Sequence, residues 1–159
     1  MIDWKWKPFG DLSAVDLHDI LKLRQDVFVI EQHCIYPDID GADPRCWHLL
    51  GRDRSGELAA YLRVVPPGQK YKEPAIGRVV ANPDKRRNGL GKELMQVGIR
   101  CTQFQYPDSG IRISAQQYLT HFYTGLGFEQ VGEMYLEDDI PHIEMVMPAK
   151  HHPQGRVTD

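Results

Sequence analysis

A short basic loop with two glycines is the part of the sequence best suited to bind an anion. Residues 85–92 follow a β-branched run at 76–81 and precede an amphipathic stretch, so we predict a strand, a loop and a helix that begins near Gly89. A helix N-terminus has free backbone N–H groups that bind phosphate, and glycine lets a ligand approach the backbone closely. The net charge of the chain is -3, so the positive charge is local to this loop. We expect an anionic ligand here; a solvated basic loop is the alternative.

Two charged residues, Arg24 and Glu31, lie on the apolar face of a predicted N-terminal helix. Ser13, with Asp16 three residues later, marks the start of this helix. Its apolar face contains Leu17, Ile20, Leu21, Val27 and Phe28. A buried charge is costly unless it is paired, so Arg24 and Glu31 either form internal salt bridges or border a substrate cleft.

A long loop at residues 31–44 carries three aspartates, Asp38, Asp40 and Asp43. Their spacing does not match a calcium-binding loop, and we expect no metal. They form either an acidic rim that attracts a cationic amine or a set of turns and caps. His48, on the strand that follows, either packs as a structural histidine or faces a site.

The composition is that of an ordinary globular chain. Its 159 residues suffice for a single domain, which we assign to residues 1–149, with a disordered tail at 150–159. No apolar run approaches the roughly 18 residues of a membrane span, and the basic cluster is too short to follow a nucleic-acid backbone. Three cysteines without a C-x-x-C pair, and no N-terminal signal, indicate a cytoplasmic protein. We expect a monomer or a homodimer.

The predicted elements alternate between strands and helices, which indicates an α/β fold. Strands are predicted at residues 2–6, 46–51, 58–65, 76–81, 111–115 and 142–147. The apolar stripe of the helix after Gly89 consists of Leu90, Leu94, Val97, Cys101 and Phe104. Because this helix connects strands 76–81 and 111–115, those two strands should be parallel.

Two motifs resemble the signatures of the GNAT N-acetyltransferase superfamily. Arg86-x-x-Gly89-x-Gly91 is similar to its acyl-CoA pyrophosphate motif, and Tyr123-x-x-x-Gly127-Phe128 is similar to its Tyr-x-x-x-Gly-Phe motif. The glycine spacing fits neither a Walker loop nor a dinucleotide fingerprint. Other segments resemble the ElaA-type subfamily, among them Arg24-x-x-Val27-Phe28-Val29-x-Glu31-Gln32, His48-Leu49, Ile76-Gly77-Arg78-Val79 and Ile140-Pro141-His142.

This resemblance implies a GNAT fold, in which a strongly twisted mixed sheet of six or seven strands has helices on both faces. The two central parallel strands would splay apart to admit acetyl-CoA, the implied co-substrate. The implied contacts to acetyl-CoA are Val79, Val80, Ala81, Arg86, Arg87, Asn88, Gly89, Leu90, Gly91, Lys92, Gln116 and Tyr123. Gln116 departs from the family pattern, since most members have asparagine there. The implied acceptor site comprises Arg24, Glu31, His48, Arg78 and His142.

The implied reaction is direct transfer of acetyl to the primary amine of a small molecule or a peptide. A lysine-like amine has a pKa of about 10.4, so its deprotonation at pH 7 costs roughly 4 to 5 kcal/mol and requires a base or a desolvating pocket. Glu31 and His142 are the predicted base candidates, and Tyr123 is the predicted acid for the departing sulfur. The alternatives are an acyl-CoA sensor without turnover and an enzyme similar to acyl-homoserine-lactone synthases. Tyr123 argues against the first, and the presence of both motifs argues against the second.

Overall fold

Seven strands form one mixed sheet in the computed structural model, which describes residues 1–87 and 89–150. The strands are β1 (Asp3–Pro8), β2 (Trp47–Arg52), β3 (Leu58–Val65), β4 (Ala75–Ala81), β5 (Ile111–Gln116), β6 (Glu129–Glu137) and β7 (Ile140–Met147). Their order is β1-β2-β3-β4-β5-β7-β6. β4 and β5 are parallel, as predicted, and the other neighbours are antiparallel. Asn88 and residues 151–159 of the predicted tail lie outside the described residues.

Within the described residues, three α-helices accompany the sheet: α1 (Ala14–Arg24), α2 (Leu90–Gln105) and α3 (Thr120–Gly125). α1 starts with a capping box, because the Ser13 hydroxyl accepts from the Asp16 N–H while the Asp16 carboxylate accepts from the Ser13 N–H. It continues directly as a π-helical segment, Gln25–Glu31. No helix in the described ranges is long and apolar enough to cross a bilayer.

The two long helices cover opposite faces of the sheet. Leu62 of β3 packs in the same core cluster as Leu94 of α2, whereas its neighbour Tyr61 packs in a second cluster with Ile20 of α1. Successive strand residues point to opposite faces, so α1 and α2 lie on different sides. Close packing of α2 depends on Gly98, where a Cβ would lie 2.5 Å from a methyl group of Leu62. The predicted layers and strand number are confirmed.

The buried face of α2 differs from the predicted stripe. It consists of Leu90, Leu94, Met95, Gly98, Ile99 and Thr102. Because this face is rotated toward Met95 and Ile99, Phe104 at the far edge of the predicted stripe is 82% exposed. β6 was not predicted from its residues, since this edge strand is exposed along most of its length and has no apolar alternation.

Candidate active site

The candidate site is a gap where the two central strands separate. Within the described residues, β4 and β5 pair at two positions, Ala75 with Arg112 and Ile76 with Ile113. Beyond them β5 continues along β7, while β4 continues along β3. A cavity of about 500 Å³ opens between the separated strands. This is the splay predicted for the central parallel pair.

A β-bulge on β4 lies at the edge of this gap. Tyr61 and Arg63 of β3 pair with Val80 and Gly77, so two steps along β3 correspond to three steps along β4. Arg78, in the bulge, has a φ of 50°, which is uncommon for a residue other than glycine. A β-bulge leaves its extra residue out of the hydrogen-bonded ladder, so we expect one backbone N–H of the bulge to be free to donate. The cavity wall beside the bulge includes Val79, Val80 and Ala81.

The start of α2 presents its backbone to open space. Gly89 caps the helix with a φ of 87°, a conformation that favours glycine, and a Cβ on Gly91 would meet nothing within 4 Å. Lys92 is exposed in the same turn. Leu90 is a correction to the predicted contacts: its side chain is buried in the core, and its N–H donates to the carbonyl of Arg87 at 3.1 Å. Asn88, also predicted here, is not among the described residues.

The two arginines of the basic loop bind different acidic partners. Arg86 lines the cavity, where its Nη2 lies 2.9 Å from Glu31 Oε1 and its Nε donates to the Ala81 carbonyl at 3.3 Å. Arg87 lies 2.6 Å from Glu93 in the first turn of α2. Exposed ion pairs of this kind contribute little to stability, so a phosphate could replace either carboxylate.

Glu31 reaches the cavity because the first helix changes from α-helical to π-helical turns after Arg24. From Gln25 onward the helix is π-helical, and π segments often occur at functional sites. Arg24 is fully buried, whereas Glu31 is exposed at the cavity mouth. The prediction that both residues share one helical face was wrong, because the wider π turns rotate Glu31 away from the core.

Arg24 belongs to a buried ion-pair network and does not line the cavity. Its guanidinium lies 2.9 Å from Asp38 and 2.8 Å from Asp43, and Arg63 pairs with Asp43 at 2.9 Å and with Asp40 at 2.6 Å. Burial alone would raise the pKa of Asp43, but the hydrogen bonds from both arginines hold it below the usual range. The predicted role of Arg24 in acceptor binding is therefore corrected to a structural one, and the three aspartates are neutralised and form no acidic rim.

His48 is part of the same buried region. Its Nδ1 lies 2.6 Å from the Tyr61 hydroxyl and its Nε2 lies 3.0 Å from the Asp43 carbonyl. Burial lowers the pKa of His48. Both ring nitrogens are engaged and the residue does not line the cavity, so its predicted contact with the acceptor is also corrected.

Arg78 joins this network to the cavity. It lines the cavity while its Nε lies 2.9 Å from Asp38, and its guanidinium stacks over Tyr36 with 5.4 Å to the ring centroid. The ion pair with Asp38 therefore neutralises the charge of Arg78, and the Arg78 side chain forms part of the cavity wall.

Tyr123 lies on α3 at the opposite side of the gap from β4. It lines the cavity but is only 7% exposed, and its ring packs edge-on against Phe122 and Phe128. Burial raises the pKa of Tyr123 to about 12. The phenol therefore stays protonated at neutral pH and can act as a donor.

His142 and Gln116 face each other across β7 and β5 and both line the cavity. His142 is 7% exposed, and its Nδ1 lies 2.7 Å from the carbonyl of Ile140. A carbonyl only accepts hydrogen bonds, so Nδ1 carries a proton, and when the ring is neutral its lone pair lies on Nε2. Glu137 Oε2 lies 3.6 Å from this Nε2.

Two acidic residues of the cavity wall were not predicted from the sequence. Glu137 ends β6 and Asp138 follows it in the turn to β7, and both line the cavity. Adjacent aspartates at 138 and 139 are typical turn formers, and they were the signal for this hairpin. Over residues 1–87 and 89–150, no three His, Cys, Asp or Glu side chains converge as a metal site.

Several known proteins resemble this chain over most of its length. A family model described as "Acetyltransferase (GNAT) domain" matches residues 30–149. A UPF0039 protein from Synechocystis sp. is 42% identical over 145 residues, which cover 91% of this chain and 94% of that protein. The crystal structure of an acyl-CoA N-acyltransferase from Pseudomonas aeruginosa has a TM-score of 0.87 at 40% identity, covering 92% of this chain and 99% of that one. Escherichia coli ElaA has a TM-score of 0.86 at 37% identity, with the same coverage of 92% and 99%.

Proposed function

Because the chain belongs to the GNAT acetyltransferase family and is therefore an N-acyltransferase, we propose that it transfers acetyl directly from acetyl-CoA to a primary amine of a small molecule or a peptide. The observation that carries this proposal is the gap between β4 and β5. One cavity there contains a bulged backbone, an imidazole whose Nε2 has no hydrogen-bond partner among the described residues, and a buried phenol. These are the donor, the base and the acid that amine attack on a thioester requires.

The residues at the start of α2 fit the pyrophosphate of acetyl-CoA. The space in front of Gly91 would be filled by any larger side chain, and the first N–H groups of a helix are free to bind phosphate. Arg86 and Lys92 would add charge to these backbone donors. Acetyl-CoA supplies the thioester, and Gln116 with the backbone of residues 79–81 would hold the arm that carries it.

His142 is better placed than Glu31 to accept the proton of the amine. His142 is buried in the cavity wall, and its Nε2 has no hydrogen-bond partner among the described residues. Glu31 is exposed to solvent at the cavity mouth, where it pairs with Arg86 until a phosphate displaces it. We assign proton acceptance to His142 and keep Glu31 as the second candidate.

Tyr123 is assigned the opposite proton transfer. It donates to the sulfur as the carbon–sulfur bond breaks, while the unpaired N–H of the β4 bulge donates to the carbonyl oxygen as negative charge develops there. An acyl-CoA sensor would need neither this phenol nor the imidazole in the cavity.

The direct test is an assay of acetyl-CoA with a panel of free amines, polyamines and peptides. Coenzyme A thiol and acetylated amine should form in equal amounts. Thiol without acetylated amine would indicate hydrolysis, and the absence of both with every acceptor would overturn the proposed transfer. The predicted cytoplasmic location and the monomeric or homodimeric state are separate proposals that this assay does not address.

The site of acetyl-CoA can be tested with Gly91→Glu. The new carboxylate has room, and an acid at a helix N-terminus stabilises the fold by about 0.3 to 1 kcal/mol, but it repels a pyrophosphate. In wild-type protein, acetyl-CoA at 100 times its Kd should stabilise the fold by about 2.7 kcal/mol. We expect the thermal shift to disappear in Gly91→Glu and to persist in Gln96→Glu, which makes the same charge change further along α2. An equal shift in both variants would contradict the assignment.

A further inference from the structure

We propose that the preferred acceptor is a short diamine or polyamine whose second ammonium group is bound by Glu137 and Asp138. This inference rests on the proposed acetyl transfer, since it specifies the amine that enters the same cavity. It is carried by the charge of the cavity wall, by the turn that brings the two carboxylates to that wall and by the buried imidazole beside them.

The positive charges of the cavity wall are neutralised, whereas two of its negative charges are not. Arg86 is paired with Glu31, and Arg78 is paired with aspartates behind the wall. Among the described residues, neither Glu137 nor Asp138 has a lysine or arginine partner, and Glu137 Oε2 lies 3.6 Å from Nε2 of His142. A cavity with this excess of negative charge attracts cations and disfavours acceptors that carry a carboxylate.

The turn between β6 and β7 holds these carboxylates in place. Glu137 pairs with Ile140 at the end of the hairpin, so Asp138 and Asp139 form a two-residue turn. Their φ values of 51° and 62° are those of a type I′ turn, which matches the twist of the flanking strands. The turn sets the backbone positions of Glu137 and Asp138, whose side chains are exposed and accessible to a cation.

His142 fixes the position of the reacting amine relative to these carboxylates. The ring is more than nine-tenths buried and lines the cavity, and its Nε2 has no hydrogen-bond partner within the described residues. Glu137 Oε2 lies 3.6 Å from this nitrogen. The reacting amine is placed about 3 Å from His142 Nε2, and the second amine about 3 Å from Glu137 Oε2. The two amine nitrogens of the acceptor are then at most about 10 Å apart. This distance admits diamines with a short alkyl spacer.

Three acceptors of matched length separate this proposal from its alternatives: 1,4-diaminobutane, 1-aminobutane and 4-aminobutanoate. They carry the same reacting amine, with a cation, a methyl group or an anion at the other end. We expect kcat/KM for the diamine to exceed that for the monoamine by on the order of 10- to 100-fold, as for a hydrogen bond to a charged group. The carboxylate compound should be the poorest substrate, and added salt should reduce the preference.

Asp138→Asn is the informative variant, because asparagine also tolerates a positive φ and the turn should fold as before. It should lower the diamine preference, the ratio of kcat/KM for 1,4-diaminobutane to that for 1-aminobutane, at least about fivefold. Glu137→Gln should act in the same direction, and Glu133→Gln, on the exposed part of β6, serves as the charge-matched control. Equal kcat/KM for diamine and monoamine in the wild-type protein would overturn the proposal while leaving acetyl transfer intact.

Calorimetric titration with 1,4-diaminobutane distinguishes failure of this inference from failure of the proposed function. Binding that is weakened by Asp138→Asn, without turnover of any amine, would support charge recognition and overturn acetyl transfer. If the diamine neither binds nor reacts while acetyl-CoA still raises the Tm, the assignment of this cavity wall to a cationic acceptor is wrong.

Discussion

Replacing Tyr123 with phenylalanine should slow acetyl transfer without weakening the binding of acetyl-CoA. The substitution keeps the ring, whose edges pack against Phe122 and Phe128, and removes only the hydroxyl group. The fold should therefore be retained, and a change in rate reports the loss of the proton donor.

The size of the effect follows from the burial of the phenol. With a pKa of about 12, Tyr123 is about 99% protonated at pH 10, whereas an ordinary tyrosine would be about half protonated. The same burial makes it a weaker acid than a thiol by roughly 3.5 pKa units, or roughly 5 kcal/mol, so complete proton transfer before bond cleavage is unfavourable. The hydroxyl acts mainly by hydrogen bonding to the sulfur as charge develops. We therefore expect a loss in kcat of about 10² to 10³-fold, in the lower part of the range for general acids.

The assay is steady-state thiol release with a fixed amine between pH 7 and 10, together with a calorimetric Kd for acetyl-CoA. The variant should lose kcat and keep its Kd within about twofold, and the wild-type protein should show no loss of activity through ionisation of Tyr123 up to pH 10. Tyr118→Phe is the control, because Tyr118 lines the same cavity but is largely exposed. A folded Tyr123→Phe protein with near-normal kcat would refute the assignment.

Two further predictions concern stability. Arg24→Met should destabilise the fold by about 3 to 5 kcal/mol in urea unfolding, because it leaves buried carboxylates without their partner. Lys22→Ala, which removes an exposed i,i+4 pair, should change stability by less than about 0.5 kcal/mol, and equal effects of the two would contradict a structural role for the network. Burial alone would raise the pKa of Asp16, but hydrogen bonds from Arg52 and Lys7 lower it from 3.8 to about 2. The Asp16 carboxylate therefore stabilises the fold above about pH 4, and this stabilisation is lost as the pH falls toward 2. Asp16→Asn should therefore be less stable than wild type at pH 7, with the difference closing between pH 4 and pH 2 in unfolding curves; a difference independent of pH would count against this account.

The fold was largely predictable because local patterns and packing agree in its centre. The strand at β4, the glycine turn and the start of α2 follow from β-branched residues, Gly89 and apolar periodicity. Six of the seven strands were predicted near their observed positions, and the parallel arrangement of β4 and β5 followed from the helix between them. β6 was missed because this edge strand, exposed along most of its length, has apolar residues without the alternation that marks a half-buried strand.

The candidate site was less predictable because its geometry depends on contacts between distant segments. The sequence does not show that the helix widens into a π segment after Arg24, and this change separates Arg24 from Glu31. It also does not show that three arginines neutralise the aspartates of the long loop. Glu137 and Asp138, which have no lysine or arginine partner among the described residues, lie instead at a hairpin turn, where aspartates are common for conformational reasons alone.

The short pairing of β4 with β5 has a mechanical consequence. The sheet can be divided into two plates, β1 to β4 and β5 to β7. They are joined by two residue pairs, at 75–76 and 112–113, and by the hydrophobic core that both plates share. The bulge belongs to one plate, and His142 with the turn at 137–140 belongs to the other. A rotation about this joint would change the separation of the donor and the base while leaving the structure of each plate intact. The packing of the shared core at this joint therefore helps to set the alignment of the two walls.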